Sequence, residues 1–156
     1  MTNLAYQPIA TAIVDALRAG GPDAYGMPPE HAISDGQGNP CRHCLCDIEK
    51  GAAMLIVAHR PFDGLQPYAE TGPIFLCADD CPAYSYSVPP PILTTRDDYL
   101  LKGYTSDQRI SYGTGKIVRA ADVSNYANHL LEQRGIAFVD VRSSRNNCFQ
   151  LRITHA

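Results

Sequence analysis

Apolar residues recur at Ile9, Ile13, Val14 and Leu17, the spacing of one helix face, and predict a helix over 9–19. Gly20-Gly21-Pro22 ends it, because glycine takes the left-handed closing position and proline cannot extend the ladder. Residues 20–40 hold five Gly and four Pro and show no apolar period. They predict a long irregular segment without helix or ladder hydrogen bonds. Continuous apolar runs at 52–59 and 73–77 read as strands, the first covered on both faces. Two more strands are expected at 98–104 and 108–112, joined at Thr105-Ser106-Asp107. Gly113-Thr114-Gly115 then turns the chain into Lys116-Ile117-Val118. Val123, Tyr126, Ala127, Leu130 and Leu131 mark a second helix over 122–133, with Asp122 as N-cap and Gly135 beyond its end. Strands at 136–142 and 147–154 complete the pattern, the last alternating Phe149, Leu151 and Ile153. The order predicts an α+β fold: one mainly antiparallel sheet, two packed helices and long Gly/Pro-rich loops, in a single domain over 1–156.

Composition narrows the function more than the fold. A chain of 156 residues, 45% hydrophobic, can bury a core without needing metals or disulfides merely to fold. Its formal net charge of −3 argues against a nucleic-acid binder. Charge is uneven, with 5 basic and 12 acidic residues in 1–101 against 8 and 4 in 102–156. No basic run is dense enough to define a patch, so the asymmetry reads as a solvated surface. No apolar stretch reaches the roughly 18 residues of a membrane helix. Met1-Thr2-Asn3 carries no basic side chain and Asp15 interrupts Ile9–Leu17, so no signal segment is read and a cytoplasmic location is expected. In that compartment the six cysteines stay reduced.

Four of them fall in two pairs. Cys41-Arg42-His43-Cys44 is a C-x2-C turn, and Cys77-Ala78-Asp79-Asp80-Cys81 is C-x3-C, with 32 residues between. Two such turns can aim four thiolates at one ion, which suits tetrahedral Zn²⁺. Cys41, Cys44, Cys77 and Cys81 are the expected ligands, with His43 and Cys46 as spares. Arg42 and His43 are placed to offset the site's negative charge, and Asp79 and Asp80 should face solvent. Other readings stay open. Cys41 and Cys44 suit a thiol redox pair, although no helix follows them. Four cysteines can also hold an iron–sulfur cluster. The plain alternative is reduced cysteine used as core.

Cys41-Arg42-His43-Cys44-Leu45, Arg60-Pro61-Phe62, Pro67 to Phe75 and Arg145-Asn146-Asn147-Cys148-Phe149-Gln150 together resemble the bacterial domain-of-unknown-function family 1203. The resemblance spans nearly the whole chain and implies no established activity. It also implies that similar members often carry His at the position of Cys77, an exchange between two zinc-binding side chains.

A binding or regulatory module with a structural zinc is therefore the leading expectation. The alternative is a small enzyme with Arg60, Tyr68, Glu70 and Cys148 around a pocket, Glu70 as base and Tyr68 as donor. Asn147 would then be an oxyanion donor to Cys148. A small or anionic ligand is expected near Arg60, Glu70 and Arg145. Each residue also has an ordinary reading: Glu70 as turn acceptor, Cys148 as a strand cysteine, His129 as a surface residue.

Overall fold

The computed structural model describes residues 3–156. The Met1-Thr2 start, weighed above against a signal segment, lies outside them. In chain order the elements are β1 (Leu4–Gln7), α1 (Thr11–Arg18), β2 (Glu30–Ile33), β3 (Ala53–His59), β4 (Gly72–Cys77), β5 (Asp98–Tyr104), β6 (Lys116–Arg119), α2 (Val123–Leu131), β7 (Phe138–Ser143) and β8 (Phe149–His155). The fold is α+β with antiparallel pairing between the strands. No helix among the described residues is long and apolar enough to cross a membrane.

The expected single sheet is two. β2-β3-β4 forms one, and β1-β8-β7-β5-β6 the other. They belong to two compact units, Pro8–Tyr84 and 3–7 with Ser85–Ala156.

In the Pro8–Tyr84 unit, β3 is central and buries Met54, Leu55 and Val57, which point to both faces of its sheet. α1 is shorter than the predicted 9–19. Val14 and Leu17 are buried, whereas Ile13 is 50% exposed, and Ile9 is buried ahead of the helix. Gly20, at φ 91°, closes α1 as expected. The 20–40 segment departs from expectation at one place. Glu30–Ile33 contains neither Gly nor Pro and pairs with β3 from Glu30↔Ile56 to Ile33↔Ala53. The Gly and Pro that deny ladder bonds are confined to either side of it.

Asp23 organises the preceding turn. Its Oδ1 accepts the N–H groups of Tyr25 (2.9 Å) and Met27 (3.0 Å), and its Oδ2 that of Ala58 (2.9 Å). Desolvation pushes the carboxyl pKa up, and the three N–H groups more than reverse this, leaving it below the ordinary value.

In the Ser85–Ala156 unit, β7 is buried along its whole length between β5 and β8. α2 packs on β5 and β7 and buries Val123, Ala127, Leu130 and Leu131. Asp122 sits at its N-cap position but makes no side-chain cap bond, because a 3-10 turn over Ala120–Asp122 leads directly into the helix. The expected strand 108–112 is absent. Gln108 turns left-handed at φ 64°, and in place of a strand one Tyr104↔Ile110 bridge forms, with Ser111 N–H donating to Gly103 O at 2.9 Å. Asp140, fully buried on β7, faces Arg152 on β8. Arg152 Nε and Nη2 donate to its two carboxylate oxygens at 2.7 and 3.1 Å. The guanidinium carbon also lies 3.6 Å from the Phe138 ring centroid. Burial pushes the Asp140 carboxyl up, against the pull of Arg152.

Two outcomes follow from these contacts. Arg152→Ala, which strands a buried charge, is expected to cost about 3–5 kcal/mol in urea unfolding. Asp140→Leu with Arg152→Met, which removes both charges, should recover most of that loss. Asp23 contributes acid-sensitive stability. Its folded pKa lies below the unfolded value of about 3.9, so the contribution is present above that value and lost as pH falls through the folded pKa. Asp23→Asn should flatten this acid limb in a urea series from pH 7 downward, and lower stability at pH 7 by about 1–2 kcal/mol.

Candidate metal centre

The sulfurs of Cys41, Cys44, Cys77 and Cys81 all lie within 4.8 Å of one another. Cys41 Sγ and Cys81 Sγ are 3.9 Å apart, and none of the described cysteines is in a disulfide. Four sulfurs at tetrahedral bonds of about 2.3 Å stand about 3.8 Å apart, so the spacing fits a bound ion.

Local backbone chemistry builds the first pair. Cys41 N–H donates to Cys46 O (2.9 Å) and Leu45 N–H to Cys41 O (3.0 Å), folding 41–46 into a tight knuckle. Leu45 takes a left-handed φ of 57° to close it. Such a conformation strains a non-glycine residue by about 1–3 kcal/mol. Leu45 is fully buried, and losing a buried leucine costs about 2–5 kcal/mol. Burial therefore outweighs strain, and leucine is retained where glycine would be conformationally easier.

The second pair is delivered by the sheet. Cys77 ends β4 opposite Met54. A parallel bridge between Cys41 and Phe75 and the Arg42 N–H to Phe75 O bond (3.2 Å) hold the knuckle beside β4. Cys77 N–H donates to Cys41 Sγ at 3.3 Å. Beyond Cys81 the chain is tied back by Tyr84 N–H to His43 O (3.0 Å).

Cys81 collects the polar side chains. Arg18, at the end of α1, donates Nη2–H to its sulfur at 3.1 Å and Nε–H to Cys77 O at 3.1 Å. His43 is buried, with Nδ1 at 3.2 Å from Cys81 Sγ and Nε2 at 2.9 Å from Thr11 Oγ1. The tautomer of His43 sets which of Nδ1 and the Cys81 sulfur donates in that contact. Cys46 is exposed and bonds Cys44 O, outside the cluster.

The charge balance differs from expectation in one residue. Arg42 does not reach the sulfurs: its Nη1 donates to Pro40 O (2.6 Å) and its guanidinium lies over Phe75. Arg18 takes that role instead, a residue that sequence reasoning missed. Asp79 and Asp80 are exposed as expected, with Asp80 at 3.7 Å from Arg18.

The four thiols oppose one another's ionisation. Donation from Cys44, then from Cys77, holds Cys41 far below its ordinary pKa, against burial. Cys44 is driven up because its proton is held by Cys41 and then by Cys77. Cys77 is pushed up to about 12, first by its bond to Cys41. Burial and the Cys41 charge raise Cys81, while Arg18 opposes them. Ionising Cys41 thus opposes ionisation of its neighbours, and a divalent cation would relieve that opposition.

The other expected residues divide between the units. Arg60, Tyr68 and Glu70 lie in the β3–β4 connection, where Glu70 N–H donates to Tyr68 O at 2.9 Å and Tyr68 N–H to Gln66 Oε1 at 2.8 Å. Cys148 belongs to the Ser85–Ala156 unit and lies in the β7–β8 turn, its Sγ bonded to Asn146 O. Asn147 is left-handed there and donates its N–H to Ser143 O. Arg145 borders a polar cleft of about 460 Å³ with Arg96 and Asp98, in that same unit. His129 is exposed on α2 and meets Gln133.

The family model described as "Protein of unknown function (DUF1203)" matches residues 38–155. No curated protein and no solved structure matches the chain. The matched span takes in both cysteine pairs, the β3–β4 connection and the β7–β8 turn, and the chain belongs to the DUF1203 family.

Proposed function

We propose that this protein is a cytoplasmic binding or regulatory module whose Pro8–Tyr84 unit is stapled by one structural Zn²⁺ on Cys41, Cys44, Cys77 and Cys81. The carrying observation is the convergence of four sulfurs from two distant turns to within 4.8 Å. Chemistry supports zinc within that reading. Four soft thiolates in a closed set suit Zn²⁺ and leave no open position for water. An all-thiolate zinc site carries net −2; Arg18 supplies an N–H group to one of its sulfurs, and His43 Nδ1 lies beside the same sulfur. Closure makes the ion a staple and not a reactive centre, so the functional surface lies elsewhere on the module.

Elemental analysis of protein purified without chelator should find about one zinc per chain. Cys44→Ser should lose the metal and melt at lower temperature, as should wild-type protein after chelation, because metal binding free energy is also folding free energy. Cys148→Ser should retain both metal and melting temperature. Near-zero metal in the wild type would return these cysteines to reduced core.

Arg18 offers an independent check. Arg18→Gln keeps the four sulfurs and removes the charged donor to Cys81. It should retain zinc at the same stoichiometry but release it to a chromophoric chelator about 10–100 times faster.

A further inference from the structure

The stripe residue that α1 leaves uncovered leads to a second feature of the Pro8–Tyr84 unit. Ile13, 50% exposed, borders a cleft of about 420 Å³. Ala12 and Ala16 of α1 line one side, and Ala58 and Arg60, at the end of β3, the other. The walls are mostly apolar; beside the His59 imidazole, two charged groups stand in them, Asp23 and Arg60.

The two charges are not equivalent. Asp23 spends both carboxylate oxygens on three backbone N–H groups. Arg60 has no ion pair with any described acid, and its Nε is buried without a hydrogen-bond partner. A guanidinium partly removed from water and left without an acceptor is a demand for an anion, and its forked geometry matches a carboxylate. The fixed negative charge of Asp23 in the same cleft disfavours a dianion. The apolar walls require that the ligand carry hydrocarbon, and the volume lies in the range of small-molecule sites.

We propose that this cleft binds a small aliphatic monocarboxylate, its carboxylate on Arg60 and its hydrocarbon chain against Ala12, Ile13 and Ala16. The inference goes beyond the zinc reading and does not depend on it. The ligand sits against α1, whose last residue, Arg18, reaches the cysteine cluster.

The test is titration of full-length protein of verified metal content, followed by calorimetry and by NMR of the alanine methyl groups. The probes are octanoate, 1-octanol and inorganic phosphate. Octanoate should saturate and shift the Ala12, Ala16 and Ala58 methyls, with 1-octanol binding about tenfold more weakly or worse, the value of one charge-assisted contact. Phosphate should not compete. Arg60→Gln should lower octanoate affinity by about tenfold or more and leave octanol unchanged. Ala16→Phe, which keeps Arg60 and fills the cleft, should abolish octanoate binding and holds the test open should Arg60→Gln fail to fold. Equal affinity for octanol and octanoate, competition by phosphate, absence of a methyl response at millimolar octanoate, or an Arg60→Gln protein that binds octanoate as the wild type does would each overturn the proposal.

Discussion

In the Pro8–Tyr84 unit, four sulfurs from two turns far apart in sequence end within a few ångströms of one another. The knuckle, β4 and α1 meet at that point. The knuckle at 41–46 forces Leu45 into a left-handed backbone. β4 ends where its last residue can present a thiol beside that knuckle. α1 is short, yet both of its ends reach one sulfur, Thr11 through His43 and Arg18 directly. The sheet of three strands is small for an independent core, and such small assemblies gain most from a staple.

The Ser85–Ala156 unit holds itself by different means. Its five strands bury aliphatic residues against α2, and its one fully buried acid is answered across the β7–β8 pair by Arg152. A buried pair of this kind adds little net stability, since desolvating two charges consumes most of their attraction. It is intolerant of partial loss, however, so it penalises any register in which Asp140 does not meet Arg152. The bulge between Val141 and Arg142 adds to this, because it fixes which residues of β7 and β8 face each other beyond the pair.

Much of this was legible in the sequence. The 3.6-residue spacing of Val123, Ala127, Leu130 and Leu131 located α2 and its buried face. The apolar runs located β3 and β4, and the C-x2-C and C-x3-C turns picked out the four cysteines that converge. What escaped was tertiary in origin. Antiparallel strands of two sheets carry the same local pattern as those of one, so the partition into β2-β3-β4 and β1-β8-β7-β5-β6 left no local mark. β1 and β2, at four residues each, are too short for alternation to stand out. Arg18 was invisible as a partner of Cys81 because the two are 63 residues apart and nothing but the fold relates them. Arg42 misled for the opposite reason: it sits next to a ligand in sequence, and the knuckle turns it toward Phe75.

The pairing of β1 with β8 has a consequence for how the molecule is made. Leu4 faces His155, so the five-stranded sheet cannot complete its β1 edge until β8 has left the ribosome. The described contacts of the cysteine cluster, by contrast, lie within residues 8–84 and are available before β5 to β8 are made. The chain therefore emerges with its sulfur-rich unit complete and its first strand waiting. Closing so long a loop costs little extra at equilibrium, about 0.6 kcal/mol per doubling of length. Its cost is in time, since contacts between distant residues form slowly. During that interval the outer edge of β8's eventual partner, and β8 itself once made, are open to pairing with other chains. A nascent population of this protein is exposed to misassembly where β1 must find β8, and less so at its cysteines.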